Sequence, residues 1–426
     1  MMNILYIHSH DTGRCIQPYG YAVPTPNLQQ LAEEGILFTH CFCANPTCSA
    51  SRSALLTGTY PHQNGMLGLA HRGFSLNDYR QHLLHTLKEH GYHTALAGIQ
   101  HIAAHTKEQQ DWEVIGYDEY LGHFSEAHTQ AIDFIKRDHT KPFFLSVGFF
   151  ETHRPFPELD EHSEDPRYCR PPELFPNTPE TRTDAARYKI SAQILDEKIG
   201  TVLNALDQNG LADDTLIICT TDHGIAFPNM KCRLVDAGTG VMLIMRGPNG
   251  FDGGKVVDSM VSHMDVFPTL CELLDIAPPE CLQGKSLLPL IQGKEEQIHD
   301  ELFAEVNYHA SYEPMRSVRT DRWKYIRRYT NRRKPTLPNC DEGETKSFWV
   351  EHGWANSAIE EEMLYDLILD PMEQSNLVDD IDCLPVLFDM RTRLNRWMTE
   401  TDDPLLAGPI PLPDGAIVTD PDAEKA

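Results

Sequence analysis

Short apolar runs, each ending in polar or ionisable residues, recur along the first two-thirds of the chain. Asn3–Ile7 leads into Ser9-His10-Asp11 and reads as a buried strand feeding a polar loop. Thr94–Ala97 precedes Gly98-Ile99-Gln100-His101, and Phe143–Phe149 precedes Glu151-Thr152-His153-Arg154. Leu216–Thr220 precedes Asp222-His223-Gly224, and Val241–Met245 forms one more apolar run. Helical patterns lie between them. Thr25 as N-cap, Pro26 at the first helical position and Gly35 as stop frame a helix through Glu34. Ser51–Leu56 is closed by Gly58, Asp78–His90 ends at Gly91, and Ala185–Asn209 is long and amphipathic. This alternation predicts an α/β fold with a mostly parallel central sheet flanked by helices. Beyond about residue 305 the pattern changes. Met315–Tyr329 alternates, Pro335–Asn339 is loop, Glu362–Leu367 is a short strand and Leu384–Thr399 an amphipathic helix. We therefore expect an α/β domain over 1–305. A smaller α+β domain over 306–426, with a short antiparallel sheet, would end in a loose tail rich in Pro, Asp and Ala.

Composition narrows the function classes. Of 426 residues, 41% are hydrophobic and 23% charged, as in soluble globular proteins. No run is long enough to span a bilayer, and the opening Met-Met-Asn-Ile-Leu lacks signal-peptide character, so a cytoplasmic location is expected. Eleven scattered cysteines read as reduced, mostly buried thiols. The formal charge of −27 disfavours nucleic acid and anionic membranes as partners, and an anionic substrate would need a local positive site. Arg316, Arg319, Arg322, Lys324, Arg327, Arg328, Arg332, Arg333 and Lys334 form a basic run with two readings. It either balances nearby acids or binds the carboxylates and sulfates of a short acidic saccharide. Self-association stays open.

Asp11, His101, His153 and the pair Asp222-His223 each follow the end of a predicted strand. Ligands of open α/β sheets bind beyond the carboxyl ends of the strands, so five such residues point to one site. Any one of them alone could simply be loop polarity. Asp11, Asp222 and His223 mix oxygen and imidazole donors, which suits a divalent metal, although a lone Asp at a strand end is more often a helix N-cap. Cys48, in Asn45-Pro46-Thr47-Cys48-Ser49-Ala50-Ser51-Arg52, lies just ahead of a predicted helix. An anion is favoured there and the thiol pKa should be lowered. Arg52, one turn in, can add a charge-assisted hydrogen bond. Residue types alone favour a small buried Cys beside an Arg ion pair.

Cys48-Ser49-Ala50-Ser51-Arg52, continued by Ser53-Ala54-Leu55-Leu56-Thr57-Gly58, resembles the signature of the sulfatases, in the alkaline-phosphatase superfamily. Thr25-Pro26-Asn27-Leu28, Thr220-Thr221-Asp222-His223-Gly224, and Tyr365-Asp366-Leu367 with Asp370-Pro371 and Glu373 extend the resemblance over nearly the whole chain. His62-Gln63-Asn64-Gly65-Met66, Pro314-Met315-Arg316-Ser317-Val318 and Glu400-Thr401-Asp402-Asp403-Pro404 are most similar to the sulfamidase (heparan N-sulfatase) branch. The resemblance implies that a formylglycine-generating enzyme oxidises Cys48 to formylglycine, whose hydrate attacks sulfur. It also implies one divalent metal (Ca²⁺, Mn²⁺ or Zn²⁺) on Asp11, Asp222, His223 and the modified Cys48. Arg52 and Lys231 would hold sulfate oxygens, and His101 and His153 would move protons. Three positions depart from the pattern. His10 stands where the family has the first of two adjacent aspartates, His223 where many members have Asn, and Ile99 where a lysine would face the sulfate. The implied activity is hydrolysis of a sulfate ester or sulfamate on a small anionic sugar. The alternatives are phosphonate or phosphate-ester hydrolysis on the same fold, and a non-catalytic binder never matured at Cys48.

Overall fold

The computed structural model describes residues 2–105, 109–160 and 163–426, and in it four of the predicted apolar runs lie side by side. The strands Thr215–Thr221, Asn3–Ser9, Phe143–Gly148 and His93–Gly98 are consecutive and parallel in an eight-stranded sheet. Two edge strands, Lys255–Val257 and Glu119–Gly122, are also parallel to their neighbours, whereas Leu243–Arg246 runs antiparallel. Register aligns the strand ends. Ser9 pairs with Thr221, His8 with Gly148, and Gly148 with Gly98, so the carboxyl ends of all four strands stop at one level.

Because successive side chains point to opposite faces, each strand feeds two cores. Ile4, Tyr6, Phe144 and Ile218 pack on one face, and Leu5, Ile7, Leu145, Val147 and Ile217 on the other. The second face is covered by the helix Pro179–Gln208 through Leu195, Ile199, Val202 and Leu206. Coverage on both sides is why these runs read as continuously apolar. The close parallel pairing also needs glycine. A Cβ on Gly98, at φ +89°, would lie 2.1 Å from the Gly148 carbonyl oxygen.

Beyond the sheet, Leu302–Tyr308, Tyr312–Arg319, Trp323–Arg328 and Glu362–Asp366 form the expected small antiparallel sheet. Against it packs the helix Leu384–Glu400, burying Leu387, Met390, Leu394, Trp397 and Met398.

Several expectations are corrected. Asp78–His90 is not one helix. A 3-10 turn at Tyr79–Gln81 is followed by the helix Leu83–Glu89, with His82 extended between them and its ring accepting the Leu84 N–H at 3.0 Å. That imidazole satisfies a donor that a continuous helix would have bonded to backbone. Val241–Met245 splits. Gly240–Val241 joins a three-stranded sheet while Leu243–Arg246 joins the large one, because Met242 between them donates its N–H to Gly13. The helix Pro26–Glu34 begins as predicted, but Thr25 makes no side-chain cap. Asp196 accepts the Asn27 and Leu28 N–H groups instead, at 3.1 and 2.8 Å.

The tail is not loose. Tyr308 donates its hydroxyl to Ile410, Ile417 donates its N–H to Arg72, Thr419 donates its N–H to Ala310, and Ile410 is buried. The basic run is spent on carboxylates. Arg316 pairs with Asp403, Arg319 and Lys324 with Asp236, Arg322 with Asp366, and Arg328 with Glu313. Arg327 faces Glu362 at 3.9 Å, Arg333 faces Glu361, and Arg332 and Lys334 share Asp422. The reading of this run as a substrate-binding face is therefore replaced by that of a charge-balanced sheet.

These pairs differ in burial, and their energies should follow it. Arg316→Ala removes the guanidinium from the buried Asp403 carboxylate and should cost about 3–5 kcal/mol. Arg327→Ala, whose side chain is 36% exposed, should cost less than about 1 kcal/mol. Urea unfolding midpoints decide, and equal costs would contradict the assignment. His62 adds a pH test. Burial alone would lower its pKa, but Glu305, whose Oε2 lies 2.5 Å from His62 Nδ1, raises it above 6.5. The stabilisation from this pair is then complete below pH 6.5 and lost as pH rises through the raised value. The stability gap between the parent and His62→Gln should narrow over that rise, and a constant gap would refute the linkage.

Candidate active site

The four level strand ends bring the predicted residues together. Asp11 follows Asn3–Ser9, Asp222 and His223 follow Thr215–Thr221, His101 follows His93–Gly98 and His153 follows Phe143–Gly148. Asp11 and His101 adopt left-handed backbone at φ +51° and +62°. Such conformations cost energy for residues with a Cβ and persist where the surroundings hold them. Here Asp11 N–H donates to Asp222 Oδ1 at 2.8 Å.

The signature helix runs Cys48–Thr57, three residues earlier than its pattern predicts, with all ten residues buried and Cys48 at its first position. Cys48 Sγ lies 3.3 Å from His223 Nε2 and 4.0 Å from Asp11 Oδ1. Arg52, four residues on and so on the same face, donates to Asp222 Oδ2 at 3.0 Å and to the Ser9 carbonyl at 2.7 Å. Ser51 donates its hydroxyl to the Asp222 carbonyl.

Lys231 Nζ bridges Asp11 Oδ2 and Asp341 Oδ2, each at 3.0 Å. His153 Nε2 stands 3.9 Å from Asp11 Oδ2 and is partly exposed. His10 Nδ1 is 3.2 Å from Asp222 Oδ2, and its ring lies 5.4 Å from that of His101. All nine sequence-predicted residues thus belong to one cluster. Asp341, His309 and His71 were missed. His309 follows the strand Leu302–Tyr308, the same positional signal that located the others, but on the second sheet. His71, whose Nδ1 is 3.0 Å from His101 Nε2, lies in the 3-10 turn Ala70–Arg72 and Asp341 in a loop, neither with such a signal.

Burial dominates the titration of this cluster. It pushes the Cys48 thiol well above its ordinary range, with Asp222 and Asp11 adding to the rise and Lys231 and Arg52 opposing it. The expected lowering at a helix start is overturned, because Sγ faces two carboxylates out of solvent. His10 and His101 are driven well below the usual imidazole range, first by burial and then by neighbouring positive groups, so both are neutral. Burial would raise Asp222, but His223, Arg52 and His10 hold it well below the ordinary range. Burial would lower Lys231, but Asp11 and Asp341 keep it charged.

The donors fit a divalent cation. Ligand atoms of His10, Asp11, Cys48 and Asp222 all lie within 4.8 Å of one another, and both ring nitrogens of His10 lack a hydrogen bond. Asp11, Asp222 and Asp341 against Arg52 and Lys231 leave one negative charge. A divalent ion would make it one positive, matching a singly charged anion.

The chain is similar to known proteins over most of its length. The family profile described as Sulfatase matches residues 2–276, and that described as N-sulphoglucosamine sulphohydrolase, C-terminal, matches 231–348. The human N-sulphoglucosamine sulphohydrolase is 28% identical over 91% of this chain and 88% of its own length. A solved structure described as a complex with its substrate D-glucosamine-2-N,6-O-disulfate superposes with a TM-score of 0.70 at 19% identity, covering 94% of this chain and 98% of that one. The phosphonate monoester hydrolase of Agrobacterium radiobacter superposes at 0.69 and 20% identity, covering 96% and 97%. At these identities the superpositions establish the fold. Among the described residues no helix is long and apolar enough to cross a membrane.

Asp222 is the group most shared within the cluster. Asp222→Asn should weaken Mn²⁺ binding, measured by calorimetric titration, beyond the 10–100-fold typical of outer-layer changes. His309→Gln, outside the donor set, should leave it unchanged. Equal losses would contradict this assignment of donors.

Proposed function

Because the chain belongs to the sulfatase family, we propose that it hydrolyses the sulfamate or a sulfate ester of a small glucosamine-type sugar, with the residue made from Cys48 as nucleophile. The observation that carries this reading is Cys48 Sγ at the first position of a buried helix, 3.3 Å from His223 and 4.0 Å from Asp11. The substrate class draws support from the human relative's named activity and from the glucosamine disulfate bound to a structural neighbour.

Oxidation of Cys48 to formylglycine by a generating enzyme would supply a hydrated aldehyde, where the protonated thiol is a poor nucleophile. A divalent metal on Asp11, Asp222, His223 and the matured Cys48, with His10 beside them, would supply positive charge where anionic oxygens gather. Arg52 is fixed by Asp222 and the Ser9 carbonyl, so it presents its guanidinium without reorganising. Lys231, fixed by two carboxylates, orients the sulfate from the other side. His153 donates Nδ1–H to the Arg154 carbonyl, so it is in the imidazolium form that its Nε2–H can protonate the leaving oxygen or nitrogen. Neutral His101 accepts the proton that the nucleophile's hydroxyl gives up. With one or two imidazoles among the donors, metal preference moves from Ca²⁺ toward Mn²⁺ or Zn²⁺. We retain the division into 1–305 and 306–426 and the cytoplasmic location as parts of this proposal.

Matured enzyme should cleave 4-nitrophenyl sulfate and N-sulfoglucosamine and leave 4-nitrophenyl phosphate nearly untouched, since a dianion fits the site's charge balance poorly. Preferential phosphate turnover would move the assignment to phosphoryl chemistry. Cys48→Ala should abolish sulfate turnover while its unfolding midpoint stays nearly unchanged. Full activity in that variant would eliminate Cys48 as nucleophile. Metal analysis of protein purified without added ions tests the metal preference, and stoichiometric calcium alone would refute the shift.

A further inference from the structure

A cavity of about 860 Å³ lies between the catalytic core and the small antiparallel sheet, and none of the clustered site residues lines it. Its walls come from segments 13–23 and 225–240, which follow Asp11 and His223, and from the strands Tyr312–Arg319 and Trp323–Arg328. Organic ligands occupy cavities of roughly 300–1,000 Å³. Much of the lining is apolar, with Phe227, Met230, Met315, Ile326 and Met363 contributing. Tyr19 and Tyr188 also line it, but their hydroxyls are already donated, to the Phe38 and Thr12 carbonyls at 3.1 Å. Most charged groups of the lining are matched. Glu173 meets Arg170 at 3.2 Å and Lys189 meets Glu164 at 2.8 Å. Asp236 and Glu373 are set against Arg319 and Lys324. Positive charge is nevertheless in surplus. Arg233 and Arg328 share one carboxylate, Glu313, at 2.7 and 2.8 Å. Among the described residues Arg14 has no carboxylate within ion-pair reach; it donates Nη1 to the Thr39 carbonyl at 2.9 Å and lies over the Phe42 ring. Gly240 leaves it room, since a Cβ there would stand 2.4 Å from Arg14 Nη2.

We propose that this cavity is a second ligand site, which takes an amphipathic organic anion. The anionic head pairs with Arg14, and an aromatic or alkyl body fills the apolar part. Polar satisfaction decides against a sugar. A saccharide would bring many hydroxyls to walls whose buried hydroxyls and ions are already paired, and a buried hydroxyl left unmet is costly. An apolar body makes no such demand and gains from leaving water. One anionic head offsets surplus positive charge through a charge-assisted hydrogen bond to a guanidinium. The site is separate from the sulfate-facing cations, because Arg52 and Lys231 are paired with Asp222 and Asp11 outside this lining.

The test needs no turnover, so it stands or falls independently of the proposed activity. 8-Anilinonaphthalene-1-sulfonate, titrated calorimetrically into the full-length chain, should bind at a single site. Hydrogen exchange should then slow at amides 13–16 and 225–235 and stay unchanged at 48–52. Dodecanoate should displace the probe, whereas inorganic sulfate, a head without a body, should not. Arg14→Gln should weaken probe binding about tenfold, the loss of one hydrogen bond to a charged group. Arg14→Lys, which keeps the charge, should recover most of that loss. Slowed exchange at 48–52 or displacement by sulfate would place the probe in the catalytic cluster and overturn the proposal. Binding at several sites, failure of dodecanoate to compete, or equal affinity in the parent and Arg14→Gln would overturn it as well.

Discussion

Asp11 and Asp222 lie side by side with almost no exposure to solvent, and most of the site follows from accommodating two carboxylates there. Removing such groups from water is costly unless cations and hydrogen bonds replace the hydration. Arg52, Lys231 and the backbone N–H groups of Asp11 and His223 meet that demand. None of these contacts could be dropped without stranding a charge. A divalent ion would complete the balance, and the arrangement that stabilises the carboxylates would then accept one more anion.

This arrangement depends in turn on the sheet. Four parallel strands end at the same level, and the pairing of Gly98 with Gly148 leaves no room for a side chain between them. A one-residue slip in any strand would turn its apolar set to the wrong core and move its terminal ligand. Precision at the metal donors is thus inherited from the register of a core packed on both faces. The left-handed backbone at Asp11 and His101 has the same origin, because both residues sit where the strands have just ended and neighbouring contacts hold them.

The second sheet contributes charge pairing and closure. Its arginines and lysines are absorbed by acids of both parts of the chain, which holds the sheet against the catalytic core. Asp341 reaches back from the loop between the sheet's third and fourth strands to brace Lys231. In a chain carrying −27, Arg52 and Lys231 are buried cations beside Asp222 and Asp11.

The main sheet and the strand-end residues were legible in the sequence because both arise from short-range regularity. Runs of apolar residues mark strands covered on both faces, and the polar residue that stops each run marks the sheet's binding edge. Cys48 and Arg52 were legible through the motif they carry, because residue types alone favour a structural Cys and the resemblance of Cys48–Gly58 to the sulfatase signature singles the pair out. Asp341, His309 and His71 were not recovered. Nor were Asp196 capping a helix 168 residues away, the split at Met242, or the anchoring of the tail. Each depends on which distant groups meet in space, and no local period encodes that. The thiol of Cys48 makes the distinction sharpest. Its position at a helix start predicts a lowered pKa, whereas its burial against Asp11 and Asp222, decided only by the packed structure, raises it.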